Sequence, residues 1–252
     1  MPRYDFRSPR LFVDAPLAEG AAVPLEAGPA NYLTNVLRLK PGAEVLVFNG
    51  REGEWRARIG ATAKKKIALD VIERTRAQTA PGDLHYLFSP LKHARLDYMV
   101  QKAVEMGASR LQPVIMRHTQ AERVNLARMR ANAIEAAEQC GVLSIPEIGE
   151  PGKLDALVRG WKADRVLVFC DEEADVKDPV AALASARGGG IAGQLPVSLL
   201  VGPEGGFAEG ERAALLKLPN VVRLALGPRI LRADTAAVAA LTLVQAVLGD
   251  WR

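Results

Sequence analysis

Apolar positions recur along this chain in two rhythms. Over the first 75 residues the apolar runs are short and strand-like: "LFV" (11–13), "EVLVF" (44–48), "EWRARIG" (54–60) and "KIALDVIE" (66–73). Their length and alternation predict half-buried β-strands. Asn49-Gly50, between the second and third runs, predicts a hairpin because both residue types tolerate positive φ. One short helix over "NYLTNVLRL" would place Leu33, Val36 and Leu37 on a single face. Short strands around one small helix predict a compact β-barrel. The stretch "TRAQTAPGD" (75–83) lacks periodicity and holds a Pro-Gly pair, so the domain boundary is placed there, giving domains 1–75 and 76–252.

From Leu84 onward the rhythm changes. Runs rich in Val, Ile and Leu, "LHYLF", "LQPVIM", "RVLVF", "VSLLV" and "VVRLAL", alternate with helical segments. "KHARLDYMVQKAVEMG" places Leu96, Val100, Ala103 and Val104 on one face and stops at Gly107, a natural helix end. "ERVNLARMRANAIEAAEQCG" is longer, with a basic outer face that reads as solvated surface. Continuous apolar strands alternating with helices predict an α/β domain with a parallel sheet covered on both faces. The glycines of "ASARGGGIAGQ" read as a flexible connection.

Composition narrows the class. The 252 residues are 49% apolar and 25% charged, as in ordinary globular proteins. Residues 1–75 carry 12 Lys and Arg against 9 Asp and Glu, so most of the net charge of +4 sits in the smaller domain. A basic module of this kind suits a polyanion. Two cysteines, Cys140 and Cys170, show no metal-ligand spacing and read as reduced thiols, and no metal is expected. The start "MPRYDFRSPR" is charged where a leader would be apolar, and no run is long enough to span a bilayer. A cytoplasmic protein with no membrane partner is the expectation.

Two segments carry the candidate chemistry. "LLVGPEGGFAEGE" (199–211) is a strand, a glycine turn and an acidic helix start, the topology in which open parallel sheets bind ligands. It lacks the Gly-Lys-Ser/Thr of a Walker loop and the spacing of a dinucleotide fingerprint. Pro203 fixes φ and Glu204 repels phosphate. Such a loop suits a neutral or cationic ligand contacted by backbone groups, and taken alone it equally suits a bare turn. "LALGPRILRADTAAVAAL" (224–241) supplies a second strand-ending Gly-Pro loop, with Asp234 or Thr235 placed to cap the helix that follows. Two such loops in one sheet can line one pocket. Arg232, between Leu231 and Ala233, faces either solvent or that pocket.

Together "GPEGG" and "LGPRILRADTA" resemble the RsmE family of ribosomal RNA methyltransferases, in the SPOUT superfamily. The resemblance runs through nearly the whole chain. "SPLKHARLDYMVQKAVEMGASRLQPV" is similar to the family's K-x-x-R-x-(E/D)-x-x-x-Q-K-x-x-E-L-G block, through Lys92, Arg95, Asp97, Gln101, Lys102, Glu105 and Gly107. "EAAEQCGVLSIPEI" is similar to its E-Q-C/S-G-R-x-x-x-P block, and "PRLFV" with "NYLTNVLRLKPGAEVLVFNG" to its N-terminal domain.

The resemblance implies a PUA-like β-barrel that helps bind RNA, then a SPOUT domain with a trefoil-knotted, mostly parallel sheet. Periodicity alone would give an unknotted doubly wound sheet, since knots are rare. It also implies a homodimer that transfers a methyl group from S-adenosylmethionine to N3 of one uridine in 16S ribosomal RNA, free or within the small subunit. The implied cofactor contacts are Leu200, Val201, Gly202, Gly205, Gly206, Leu224, Leu226, Gly227, Ile230, Leu231, Thr235 and Ala236. Arg232 would stabilise the developing uracil anion, and Asp234 would orient Arg232, accept the proton or cap the helix. RNA contacts are expected from Arg7, Arg10, Arg38, Lys40, Lys64–Lys66 and Lys92, the lysine run serving equally as a protected strand edge. His85, His93 and His118 lie outside the cofactor motifs and are expected to be structural or RNA-contacting. Departures from the family pattern are Asp234 for Glu, Val142 for Arg, Tyr32 for His and Met106 for Leu. An inactive SPOUT-like RNA-binding module is the alternative.

Overall fold

A computed structural model describes residues 5, 7–60, 67–121, 123–186 and 195–251. The chain divides into two compact units, Met1–Ala80 with Ala137–Ile145, and Pro81–Ala136 with Pro146–Arg252.

The first unit is a five-stranded sheet ordered β1-β3-β4-β5-β2, built from β1 (Arg10–Phe12), β2 (Ala22–Pro24), β3 (Glu44–Phe48), β4 (Glu54–Ile59) and β5 (Ala68–Arg76). All pairings are antiparallel except β1 with β3. Its core gathers Val45, Val47, Ala57, Ile59, Leu69 and Val71 from the strands with Leu33 from the helical segment. The expected hairpin joins β3 to β4, but Asn49 acts through its side chain rather than through positive φ. Its Oδ1 accepts hydrogen bonds from the Arg51 and Glu52 amides, while Gly50 and Gly53 take the left-handed conformations. The short helix also differs from expectation. After α1 (Ala27–Asn31) the chain widens into a π-helical turn at Tyr32–Val36, closed by the Leu37 amide donating to the Tyr32 carbonyl. The extra residue per turn moves Val36 off the face of buried Leu33 and into solvent.

An ion cluster closes one side of this unit. Glu54 is 2% exposed and accepts from Arg10 Nε at 2.7 Å and from Arg76 Nη2 at 2.7 Å. Burial alone would raise the pKa of Glu54, but hydrogen bonds from Arg76, Arg10 and Thr75 outweigh it and hold the carboxyl below its ordinary value. The segment 137–145 joins the same cluster. The Glu138 carbonyl accepts from Arg10, the Glu138 carboxylate from the Phe12 amide, and the Gly141 carbonyl from Arg76. The E-Q-C-G block therefore works here as a structural tie.

The second unit is built on a parallel sheet ordered β12-β10-β11-β6-β7-β8, with β9 also on β7. Its strands are β6 (Leu84–Phe88), β7 (Arg110–Ile115), β8 (Glu147–Ile148), β9 (Gly152–Lys153), β10 (Val166–Cys170), β11 (Val197–Val201) and β12 (Val221–Leu224). Helices α2 (His93–Glu105), α5 (Pro179–Ser185) and α7 (Ala233–Val247) pack together, α5 against β12 and α7 against β11. Helix α3 (Leu126–Cys140) follows β7, and α4 (Leu154–Arg159) packs with α6 (Glu209–Leu216). Strands β10 and β11 are buried almost throughout, which is why both read as continuous apolar runs. Among the described residues no helix is long and apolar enough to cross a membrane.

Candidate active site

In a parallel sheet, the loops that leave the carboxyl ends of the strands gather along one edge. Here that edge collects the segments after β6, β7, β10, β11 and β12. After β11 the chain turns back at once, the Gly206 amide donating to the Pro203 carbonyl at 2.9 Å. Two of the glycines are required for separate reasons. Gly206 has φ +71°, a conformation that side chains disfavour, and it lies against the Glu172 carboxylate. At Gly202 a Cβ would come 2.8 Å from the ring of Phe207, which is buried and packs edge-on against Phe169. Glu211 then secures the start of α6, accepting from the Ala208 amide at 3.0 Å and from the Arg117 amide at 2.8 Å.

After β12 the chain is more open. Gly227 has φ +90° with free space around it, and residues 227–230 are exposed, Ile230 completely. Helix α7 begins at Ala233 with Arg232 as its N-cap, which makes no side-chain capping bond. Asp234 and Thr235 thus lie inside the first turn instead of capping it. The Arg232 guanidinium is exposed and has no hydrogen bond or ion pair among the described residues.

One guanidinium links the two segments. Arg95, in the first turn of α2, donates from Nε and Nη2 to the Asp234 carboxylate at 3.1 and 3.2 Å, and from Nη1 to Glu204. These hydrogen bonds, Arg95's first among the causes, hold the Asp234 carboxyl below its ordinary value against the opposing effect of burial. Asp234 is therefore an ionised anchor with low proton affinity, and it does not reach Arg232. Between the two loops, at the end of β10, Asp171 is buried between Arg212 of α6 and Arg223 of β12, at 3.1 and 2.7 Å.

The expected cofactor residues do converge on this edge, in two layers. Leu200, Val201, Leu224 and Ala236 are buried beneath it, and Leu200 packs in the core with Leu87, Phe169 and Phe207. Gly202, Gly205, Gly206, Leu226, Gly227, Ile230, Leu231 and Thr235 lie at or near the surface. Lys92 is exposed and shares a small cleft with Arg95, Gln120, Pro203 and Glu204.

The RNA expectations divide. Arg7, Arg38 and Lys40 are exposed. Arg10 is not available to a polyanion: it is 8% exposed and committed to Glu54, because the β1–β3 and β3–β4 pairings bring it over that carboxylate. Lys64–Lys66 lie outside the described residues.

Sequence patterns gave no role at the cofactor loops to Arg95, which they placed only in a family block, to His118, expected to be structural or RNA-contacting, or to Asp171 and Glu172. His118 Nδ1 lies 3.1 Å from the Gly206 carbonyl, which accepts from the ring N–H, and its Cβ would be 3.1 Å from one built on Gly205. The available signal was position, since His118 follows β7 and Asp171-Glu172 follows β10 at the same edge. Among the described residues no group of three or more His, Cys, Asp or Glu could hold a metal ion.

Comparison with known proteins gives these features a context. Residues 78–245 match the model of an RNA methyltransferase domain, and residues 29–72 match that of an RNA methyltransferase PUA domain. The chain is 27% identical over 237 residues to ribosomal RNA small subunit methyltransferase E of Rickettsia conorii, covering 94% of each chain. It is 28% identical over 225 residues to the protein of that name from Bacillus subtilis, covering 85% of this chain and 86% of the other. In structure it is similar to ribosomal RNA small subunit methyltransferase E of Neisseria gonorrhoeae bound to S-adenosyl methionine, with TM-score 0.84, 25% identity and coverage of 98% and 100%. A second neighbour is a putative methyltransferase of Legionella pneumophila in complex with S-adenosyl methionine, with TM-score 0.81, 28% identity and coverage of 97% and 99%.

Proposed function

The chain belongs to the RNA methyltransferase family, and from that premise we propose that it methylates N3 of a uridine in the 16S RNA of the small ribosomal subunit, using S-adenosylmethionine. The observation that carries the proposal is the paired-loop edge, where the glycine turn after β11 and the Gly-Pro loop before α7 are linked by Arg95. Its donor set suits this cofactor, which is cationic at sulfur and carries no phosphate. Glu204 and Glu172 border the turn, and residues 202–208 contain no lysine or arginine. Backbone groups of Gly202, Gly205, Gly206, Leu226 and Ile230 would contact the adenosine, with Gly227, Leu231, Thr235 and Ala236 around it, over the layer of Leu200, Val201 and Leu224. The bound cofactor supplies an electrophilic methyl group.

The chain's own contribution to the reaction is electrostatic. Uridine N3 is weakly acidic, and a preorganised cation beside it would favour the anionic, nucleophilic form of the base once its proton has passed to solvent. Arg232 offers such a cation, since its guanidinium pairs with no carboxylate among the described residues. We assign RNA docking to residues 1–75, through Arg7, Arg38 and Lys40, and methyl transfer to residues 76–252 with Lys92 at the RNA side. The working form is a cytoplasmic homodimer, which sedimentation of the purified protein tests directly.

Incubation with labelled cofactor and unmethylated small subunits is expected to label the RNA, and absence of label sinks the proposal in favour of an RNA-binding module. Arg232→Ala should lower kcat by about 10²–10³-fold, the usual cost of removing one such group. It should leave cofactor affinity nearly unchanged, since the side chain caps nothing. Equal loss of both would move Arg232 from the reaction to the pocket.

A further inference from the structure

One cavity lies away from the residues of the paired-loop edge. It has a volume of about 470 Å³ and runs beneath α4, from Lys153 beside the carboxyl end of β7 to Lys162 and Arg165 ahead of β10. His85, Arg110, Ser198 and Arg165 lie at the amino-terminal ends of β6, β7, β11 and β10, about a strand length (~15 Å) from the edge where the glycine loops emerge. The size falls within the range of small-molecule sites, roughly 300–1,000 Å³.

Its lining is asymmetric in chemistry. Leu87, Val114 and Leu157 form an apolar floor that belongs to the core, and Trp161 stands beside them as an aromatic wall. The Trp161 indole N–H is buried and donates to nothing among the described residues. Two of the four cations are occupied: Arg110 pairs with Glu147 at 2.6 Å and Arg165 with Asp83 at 2.6 Å. Lys153 and Lys162 are exposed and have no ion pair among the described residues. His85 adds no charge at neutral pH, because burial first and then the charge of Arg165 push its pKa down to about 4. Donors therefore outnumber acceptors around an apolar and aromatic floor.

We propose that this cavity binds a nucleotide unit, its base against Trp161 and its phosphate on Lys153 and Lys162. A base offers a flat face for the indole, and the phosphate matches the two unpaired ammonium groups. The ligand is either a free mononucleotide or one residue of an RNA strand, since both present the same chemistry. The site is separate from the paired-loop edge and does not depend on the methyl-transfer reading.

The test uses the full-length protein and reads binding alone. Uridine monophosphate and a short oligouridylate are titrated separately, following tryptophan fluorescence and calorimetric heat. Saturable binding of either is expected. Saturation by the mononucleotide identifies a free-nucleotide site, and saturation by the oligonucleotide alone identifies a strand contact. The double variant Lys153→Gln, Lys162→Gln should weaken binding at least tenfold, and Trp161→Phe should remove the fluorescence change and weaken the heat. S-adenosylmethionine titrations should be the same in all three proteins, which also shows that the variants are folded. Absence of binding by both probes into the millimolar range, or binding by the variants equal to that of the unchanged protein, overturns the proposal.

Discussion

At the residue scale, Glu54 is one of the most tightly held charges among the described residues. It is nearly inaccessible, and two arginines and a threonine hydroxyl converge on it. A buried ion pair adds little stability beyond that of a well-packed apolar substitute, yet removing one partner costs about 3–5 kcal/mol because the other charge is stranded. Glu54→Gln is therefore expected to destabilise the first unit by about that amount at neutral pH. The pH dependence follows from the direction of the shift. The folded carboxyl has a lower pKa than the unfolded one, so its stabilisation is complete above the unfolded value and fades as pH falls through the folded value. Hydrogen exchange at β3 and β4 should show the unchanged protein losing protection in acid, with the variant already low and flatter. An unchanged acid slope in the variant would remove Glu54 as the source. Nothing in the local pattern announced this cluster. Arg10 sits in an alternating strand where a charge ordinarily faces water, and its partner lies 44 residues away.

At the element scale, the working edge depends on how α2 is fastened to the segments after β11 and β12. Arg95 spans 109 residues to Glu204 and 139 to Asp234, separations at which no periodicity rule operates. The elements themselves were far more legible. Strands β3, β6 and β11 fall on the apolar runs that predict them, because a strand covered on both faces must be apolar throughout. Strands β8 and β9, of two residues each, are too short to carry a pattern, and α4 and α5 have only two turns or fewer in which to show one. The glycine loops were legible as backbone features, but their reasons were tertiary: Gly202 yields to the ring of Phe207, which chain position alone does not reveal. Asp234 tests the fastening. Asp234→Asn keeps the shape and removes the charge that Arg95 holds. Loss of a hydrogen-bonded charge pair of this partly exposed kind costs about 1–3 kcal/mol. That amount should appear as roughly 5- to 150-fold weaker S-adenosylmethionine binding by calorimetry. The rise of the transfer rate with pH should persist, since an anchored carboxylate is a poor base. Unaltered cofactor affinity with abolished transfer would return the proton-acceptor role to Asp234.

At the scale of the whole molecule, charge and fold point the same way. The small β unit carries most of the net positive charge, while the parallel sheet beside it in sequence is close to neutral. Binding to a polyanion through such a surface releases counterions, so affinity falls with salt along a straight line in logarithmic coordinates. Each phosphate contact on a single strand adds about 0.7 to that slope. Arg7→Gln, Arg38→Gln and Lys40→Gln should each lower the slope by about that amount, with little change in stability, since all three side chains are exposed. Arg10→Gln belongs to a different class: it should lower stability and leave the slope of the folded fraction alone, because its guanidinium is spent on Glu54. Filter binding of ribosomal RNA across a salt series, paired with denaturation of each variant, separates the two. A slope that ignores the three exposed residues would move RNA docking off the small unit and onto the parallel-sheet unit, where Lys92 stands beside the paired loops.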